Sequence, residues 1–410
     1  MKSADTTAPR LALLSPLRAR NYLLLWASSA VAVVGENFLF VALSALALDL
    51  THRPSGWGTV LTIQAVPQTL LMLGGGVATD RFRPRSVMLL SSYLLALVVG
   101  ALAALAGAGA LQAWHLYGYA VASGTVYAFS IPATNSIIPE LLPSDQVRSA
   151  NALSQVTLNL GRVLAPPIAG ALVAQSGSTL ALAANAVAFL VSGAFLWLIR
   201  GTPRERRPAA KPLEEIRDGL RVVRRDAVVG LTIVMGMVGF FGFGGAILVG
   251  LPALAALVLG TGGQGIGLLY GAAGAGALLG ALVAGGVPDL RRPGVVGCLA
   301  LVAAGALLAM AGVAPSAGAV APFLFLSGAC LAACAIIFLS LIQTRTPPDV
   351  RGRVMSLFTL GLFGLSPLSF GLAGLAGDAL GPRGVIVLGG AFVLLAGAIG
   401  LSRKAVRSVA

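Results

Sequence analysis

The chain alternates between long apolar segments and short basic loops, and this alternation restricts its possible folds more than any other feature. Of its 28 Lys and Arg residues, all except Arg53, Arg162 and Arg383 lie in every second loop or at the chain ends. About 20 apolar residues suffice for a helix to cross a bilayer, and basic loops favour the cytoplasmic side. The pattern predicts a polytopic membrane protein with both termini in the cytoplasm.

Composition agrees with a lipid environment. The mean hydropathy is +0.91 and only 10% of residues are charged, which is too few to cover a water-facing surface. The net charge of +14 lies in loops without interleaved aromatic residues, so we expect no nucleic-acid partner. Cys298, Cys330 and Cys334 lie in apolar segments without His or carboxylate neighbours. We therefore predict neither a metal site nor a cofactor.

Twelve apolar segments are long enough to span a membrane. The predicted spans are roughly residues 21–50, 56–79, 86–109, 113–138, 149–175, 179–199, 227–257, 264–287, 294–314, 317–344, 353–378 and 384–402. A long polar stretch at 200–226 separates them into two sets of six. We predict an all-α membrane protein in which 1–199 and 227–410 form pseudo-symmetric six-helix bundles, joined by a cytoplasmic linker at 200–226.

The two halves repeat several residues in the same order. Gly76 and Asp80 recur as Gly285 and Asp289, Pro139 as Pro347, Pro166 as Pro367, and Gly170 as Gly371. Two parallel repeats related about an axis along the membrane normal form one known transporter architecture, with a central site near mid-membrane.

A glycine, an acid and a basic cluster follow the second predicted helix. Residues 76–85 read Gly-Val-Ala-Thr-Asp-Arg-Phe-Arg-Pro-Arg. This stretch resembles the cytoplasmic motif of the major facilitator superfamily, Gly-x-x-x-Asp-Arg followed by basic residues. The resemblance implies a latch in which the acid lies against the positive N-terminal end of helix 11. The predicted latch residues are Gly76, Asp80, Arg81, Arg85, Arg351 and Arg353.

The fifth predicted helix contains a second motif. Residues 161–170 read Gly-Arg-Val-Leu-Ala-Pro-Pro-Ile-Ala-Gly, which resembles the antiporter motif of the same superfamily with Ala at two glycine positions. The motif is typical of exporters. Proline removes a backbone hydrogen bond and small residues allow close contact, so Gly161, Pro166, Pro167 and Gly170 are expected to seal the halves together. A purely structural kink is the alternative.

A third stretch points to one branch of the superfamily. Residues 131–143 and 148–153 resemble the hinge between helices 4 and 5 in the branch of the superfamily that contains siderophore exporters and related efflux pumps. This resemblance implies an exporter but does not identify its cargo.

Glu36 and Arg162 are predicted to couple transport to protons. Each lies near the middle of its helix, where an ionised side chain costs about 3 kcal/mol unless it faces protein or water. A mutual pair is one way to satisfy both, and Glu36 would then gain and lose a proton as Arg162 moves. A static ion pair, or a carboxylate that contacts cargo, is the alternative.

The predicted substrate cavity has a polar and an apolar wall. The polar wall consists of Asn37, Ser44, Gln155 and Asn159, on helices 1 and 5. The apolar wall consists of Met235, Phe240 and Phe241, on helix 7. Met and aromatic faces accommodate varied apolar ligands, although the same residues could instead pack against helices or lipid.

The resemblance implies a secondary transporter of the bacterial inner membrane. We expect it to be a monomer that exports a hydrophobic or amphipathic molecule, drug- or siderophore-like, by alternating access with proton antiport. An ATP-binding Gly-x-x-x-x-Gly-Lys-Ser/Thr motif is absent from the sequence. A lysolipid or lipid transporter, or an uncoupled facilitator, is the alternative. An intramembrane enzyme or a receptor is disfavoured, because the sequence shows no arrangement of catalytic residues in its spans.

Overall fold

The computed structural model describes residues 14–81, 83–200, 220–221, 223–287 and 291–407, without the side chains of 73–81, 135, 348 and 349. These ranges contain helices and no strand. The helices are α1 (Arg20–Thr51), α2 (Pro54–Arg81), α3 (Pro84–Gly107), α4 (Ala113–Leu141), α5 (Ser144–Leu198), α6 (Ala227–Val258), α7 (Gly262–Gly286), α8 (Pro293–Val313), α9 (Ala317–Arg345), α10 (Pro348–Gly364), α11 (Ser366–Ser402) and α12 (Lys404–Arg407).

The helix α5 reverses direction at Gly177. Its 55 residues would extend for about 80 Å if they were straight. Gly177 has φ 76° and ψ 167°, angles that residues with a side chain rarely adopt. The Tyr22 hydroxyl of α1 donates to the Ala150 carbonyl (2.8 Å), while the Ser28 hydroxyl donates to the Ser192 carbonyl (3.1 Å). Residues near both ends of α5 thus contact nearby turns of α1, so α5 supplies two membrane passes.

The helix α11 reverses in the same way at Gly381, where φ is 75° and ψ is 166°. A Cβ atom on Gly245 of α6 would lie 3.1 Å from the Ser369 carbonyl oxygen, and one on Gly242 would lie 2.8 Å from that of Gly389. Neighbouring turns of α6 therefore contact both parts of α11. The helix α10 runs on into the first part of α11, and together they form one pass.

The two reversals account for the predicted number of passes. Eight helical segments of the described chain are long and apolar enough to cross a membrane, with α5 counted once and α10–α11 counted once. Because each of these two crosses twice, they raise the number to ten, and α2 and α4, of 28 and 29 residues, complete twelve. The predicted all-α fold of two six-helix sets is confirmed. The exact extent of the linker falls largely outside the described residues and stays a prediction.

The bundle has two chemically different ends. The basic end is where α1 begins and α11 finishes, and it carries Arg83, Arg200 and Arg345. The opposite end carries Arg53 and Arg383.

At the basic end, Asp226 fixes the start of α6. Its carboxylate accepts hydrogen bonds from the backbone N–H groups of Val228 (2.8 Å) and Val229 (3.2 Å), and from Nε of Arg345 on α9 (3.1 Å). Partial burial opposes ionisation, but these hydrogen bonds outweigh it and hold the pKa of Asp226 below its ordinary value. The carboxylate therefore stabilises the contact between α6 and α9.

Substituting Gly177 by valine should destabilise the protein. Valine at these backbone angles is strained by about 1–3 kcal/mol, so the thermal unfolding midpoint in detergent should fall. The control is Gly318→Ala, because Gly318 is helical and has no atom within 4 Å of an added Cβ. Equal midpoints for the two variants would contradict the turn at Gly177.

Asp226→Asn should lower stability in a pH-dependent way. Asparagine still caps the helix but lacks the charge, so the loss near pH 7 should be about 0.3–1 kcal/mol. Because the folded-state pKa is depressed, the carboxylate's contribution is complete above the unfolded value and disappears as the pH falls through the folded value. Unfolding midpoints of both proteins, measured from pH 7 downwards, should converge in acid. A difference that persists at the lowest pH would show that the charge is not responsible.

Candidate transport site

Glu36 lies in the middle of α1 and faces polar groups of neighbouring helices. It is about 24 Å along the helix from Arg20. Its carboxyl group is attracted by the Arg162 guanidinium of α5 and interacts with the Tyr127 hydroxyl of α4. The side chain is nevertheless exposed. Glu36 thus borders accessible space lined by polar groups, which we call the polar chamber.

Arg162 is near Glu36 without touching it. Within the described residues, these two side chains attract each other but do not approach within the 4.0 Å of a direct ion pair. The backbone of Arg162 also lies against the other half, since a Cβ on Gly274 of α7 would be 2.9 Å from the Arg162 carbonyl oxygen. A shift between the halves would therefore act on the segment that carries Arg162.

A polar stripe on α4 adds residues to the chamber that the sequence prediction omitted. Tyr119, Ser123 and Tyr127 are four residues apart and share one helix face. The Gln64 side-chain amide of α2 donates to the Ser123 hydroxyl (3.2 Å), and the Tyr119 hydroxyl interacts with both side chains. The spacing of four between polar residues in an apolar helix was the available signal.

The predicted polar wall is only partly present. Gln155 is exposed and Asn159 half-buried on α5, while the amide of Asn37 donates to a carbonyl of its own helix. The placement of Ser44 in this wall is corrected, because its side chain is fully buried and donates to a carbonyl one turn earlier in α1. It therefore belongs to the packed interior.

An apolar cavity lies between the two halves. Its volume is about 690 Å³, which is in the usual range for small-molecule sites. Helices α2, α4, α6, α10 and α11 surround it, and its larger side chains are Met72, Ile131, Phe240, Met355, Phe363 and Phe370. Phe240 packs edge-on against Phe363, with ring centroids 5.9 Å apart. Gln68, Thr69 and Thr359 supply scattered polar groups.

Two of the three predicted residues of the apolar wall are elsewhere. Met235 is 2% exposed, with its sulfur 3.8 Å from that of Cys298. Phe241 packs against Phe392 of α11, with ring centroids 5.9 Å apart. Successive helical positions differ by about 100°, so Phe240, Phe241 and Met235 cannot share one narrow face. Phe240 therefore lines the cavity while Met235 and Phe241 do not, and the contact of Phe240 with substrate stays a prediction.

The motif on α5 lies where the two halves meet. A Cβ on Gly170 would be 2.6 Å from the Gly263 carbonyl oxygen of α7. A side chain at Gly267 would collide with the Pro166 carbonyl, and Pro167 faces Gly271 one turn further along. Gly161, in contrast, contacts Val33 of α1 within its own half. Glycines on both helices thus allow α5 and α7 to approach closely.

Helices α2 and α11 close the opposite end on the other side of the bundle. The Ser55 backbone N–H donates to the Asp378 carboxylate (3.1 Å), and the Trp57 indole donates to the Leu248 carbonyl of α6 (2.7 Å). A Cβ on Gly58 would be 2.9 Å from the Phe370 carbonyl oxygen. These contacts join the halves at the end away from the basic loops.

The predicted latch at the basic end is only partly visible. The side chains of Asp80 and Arg81, and the surroundings of Gly76, lie outside what the structure describes. Arg85 donates to the carbonyls at the end of α5, those of Leu196 (2.9 Å) and Trp197 (2.6 Å). Arg351 donates to the Thr346 carbonyl (3.3 Å), and Arg353 also has an interaction partner. The latch itself stays a prediction.

A bundle of twelve passes with a cavity between its halves and a polar chamber in one of them defines a membrane transporter. The chain belongs to the transmembrane secretion effector family of the major facilitator superfamily, whose family model matches residues 11–409. It is 27% identical over 333 residues to the enterobactin exporter EntS of Escherichia coli O1:K1, covering 80% of this chain and 78% of that protein. The same exporter of Escherichia coli O127:H6 matches equally.

Solved structures show the same fold. A bacterial homologue of the iron transporter ferroportin, in an inward-facing state, has a TM-score of 0.71 at 20% identity and covers 94% of this chain and 98% of its own. A bacterial homologue of the lysosomal transporter Spinster, inward-facing and unoccupied, has a TM-score of 0.69 at 16% identity, with coverages of 96% and 97%. A D-xylose–proton symporter has a TM-score of 0.72 at 15% identity, with coverages of 92% and 96%.

Gly267→Val should push α5 and α7 apart, because the new side chain would collide with the Pro166 carbonyl. Overpacking of this kind costs about 1–3 kcal/mol, so the population open at the opposite end should rise about tenfold. A cysteine at position 55, in a chain without native cysteines, would report this as faster labelling by an impermeant maleimide.

Gly285→Val on the same helix is the control, since an added Cβ there has no neighbour within 4 Å. Unchanged labelling in Gly267→Val would mean that this contact does not hold the opposite end closed.

Proposed function

We propose that this protein exports a hydrophobic or amphipathic small molecule across the bacterial inner membrane in exchange for protons. The supporting observation is that two chemically different regions lie next to each other. One is the polar chamber around Glu36 and Arg162, and the other is the apolar cavity between the halves. A chamber with a single acid can take up and release a proton, and an apolar cavity can bind hydrophobic cargo.

The cavity supports the cargo class. Its lining offers aromatic and methionine side chains with a few hydroxyl and amide groups. Such a surface binds aromatic or aliphatic parts by adaptable packing, while a sugar would need many hydrogen-bond partners. The relatives named as enterobactin exporters support an aromatic siderophore as the first cargo to test.

Coupling in this proposal comes from competition for Glu36. The carboxyl group gains stabilisation from Arg162 when it is ionised, and it retains the Tyr127 hydroxyl as a hydrogen-bond partner when it is protonated. Because the backbone of Arg162 contacts α7, movement of the halves would change the separation of acid and base. A proton moving inward through about 100 mV supplies about 2.3 kcal/mol, which would drive cargo outward.

The contacts between the halves support alternating access. Among the described residues, the contacts named above lie at the opposite end and in the middle of the bundle, so the arrangement resembles an inward-facing state if the basic end is cytoplasmic, as the Lys and Arg distribution favours. In this proposal, bundles 1–199 and 227–410 rock about the α2–α11 and α5–α7 contacts. The Asp80 latch would close the basic end in the other state, and the protein would work as a monomer.

Glu36→Gln should abolish proton-driven accumulation of cargo. Purified protein in liposomes would be given enterobactin and a pH gradient of one unit. One proton per cargo molecule then supports about tenfold accumulation. Wild type should accumulate enterobactin and move protons in the counter direction, whereas Glu36→Gln should only equilibrate it.

Asp145→Asn is the matched control, because Asp145 is exposed at the start of α5. Equal accumulation by wild type and Glu36→Gln would contradict the coupling role. Transport of a lysolipid that ignores the pH gradient would favour an uncoupled lipid transporter instead.

A further inference from the structure

One face of α4 carries a polar residue at every fourth position over nearly half of the helix. His115, Tyr119, Ser123 and Tyr127 are separated by about 6 Å of rise per step. Residues four apart are neighbours on a helix surface, so each polar side chain of the stripe lies next to the following one. The helix begins at the opposite end of the bundle. The stripe therefore runs from that end to the level of Glu36.

The inner part of the stripe holds two groups of polar side chains that are neighbours along α4. Tyr127 interacts with Glu36 and, electrostatically, with Tyr119. Tyr119 interacts with Ser123 and Gln64, while the Gln64 amide donates to the Ser123 hydroxyl (3.2 Å), which itself donates to the Ala120 carbonyl (3.3 Å). Each hydroxyl can donate and accept at the same time.

The stripe passes through otherwise apolar packing. Tyr119 is 4% exposed and Ser123 is fully buried. Buried hydroxyl groups cost free energy unless they find partners. Packing alone would favour phenylalanine and alanine at these positions. The hydroxyl groups therefore call for a role beyond filling space.

The two ends of the stripe are in different surroundings. At the basic side, Glu36 is exposed to the space between helices. At the opposite side, Tyr119 packs in one apolar cluster with Leu116 and Trp57, both nearly inaccessible. Trp57 is held there by its hydrogen bond to the Leu248 carbonyl of the other half. Opening the opposite end would break this bond.

We propose that Tyr119, Ser123 and Tyr127 form a proton path along α4 between the opposite end and Glu36, and that Trp57 closes the path while the halves touch there. In this path the Ser123 hydroxyl turns from the Ala120 carbonyl towards Tyr127, and each hydroxyl passes its proton to the next group and receives one from the group before it. Charge thus moves to Glu36 without remaining on a tyrosine. The proposal rests on the proposed proton exchange and adds its route and its gate.

The gate is needed because Glu36 already borders the open side. A path open at both ends would let protons cross without cargo. Among the described residues, the groups that interact with the Glu36 carboxyl are Arg162 from α5 and Tyr127 and Tyr119 from α4, with the neutral amide of Gln64 from α2 behind Tyr119. None of them replaces Trp57 as a cover at the opposite end.

The route can be tested with Tyr119→Phe and Tyr127→Phe, which keep the rings and remove the hydroxyls. In liposomes with enterobactin as the probe, proton-driven uptake should fall about tenfold or more. Exchange of enterobactin at equal pH should stay within about twofold and so report folding. Tyr117→Phe is the control on the same helix, because Tyr117 lies off the stripe. Ser123→Ala is a second variant should either tyrosine variant fail to fold.

The gate can be tested without cargo. In liposomes that contain pyranine, Trp57→Ala should raise passive proton influx about fivefold or more, because it removes the cover and its bond to Leu248. Adding Tyr127→Phe should return the influx to the wild-type level.

The outcomes separate the two proposals. If wild type shows proton-driven uptake and the tyrosine variants keep it, the route is overturned while the proposed function stands. Influx that is unchanged in Trp57→Ala, or that persists in the double variant, would overturn the gate. If wild type shows no proton-driven uptake, the proposed function and the route both fail.

Discussion

The rest of the structure depends on the free-energy cost of placing one ionisable carboxyl group, that of Glu36, in the middle of a membrane. An ionised side chain there must face protein or water, and Glu36 does so because two neighbouring helices supply polar groups. Tyr127 comes from α4 and Arg162 from α5, while Gln64 of α2 bonds with Ser123 one turn away on α4. This requirement explains why the first half carries polar groups in its interior while the cavity beside it is apolar.

The polar chamber and the apolar cavity are neighbouring regions that share two helices. On α4, Tyr127 reaches Glu36 and Ile131, one turn further, lines the cavity. On α2, Gln64 belongs to the chamber and Gln68 to the cavity. A cargo molecule that displaces either helix would therefore act on the acid without touching it. In the proposed exchange, competition between proton and cargo would then be indirect, which would leave the cavity free to accept varied apolar shapes.

The sequence was sufficient to predict the membrane passes, but it did not show which face of each helix is turned inwards. Hydropathy and basic loops predicted twelve spans, and glycines at the two tightest turns, Gly177 and Gly381, agree with them. Ser44, Met235 and Phe241 were misplaced because an all-round apolar helix gives no periodic signal to orient it. Tyr119 and Tyr127 were omitted because aromatic residues in a membrane helix ordinarily read as packing. The spacing of four along α4 was the signal for the stripe, but the interaction of Tyr119 and Tyr127 with Glu36 is visible only in the structure.

Proton release on cargo binding tests the central claim most directly. Enterobactin would be added to purified protein in weakly buffered detergent solution near neutral pH, with the pH change recorded for wild type and for Glu36→Gln. Competition for one carboxyl group predicts release of up to about one proton per bound molecule from wild type and none attributable to the protein in the variant. Tight binding to wild type with no more proton release than in Glu36→Gln, at any pH between mild acid and neutrality, would contradict the account.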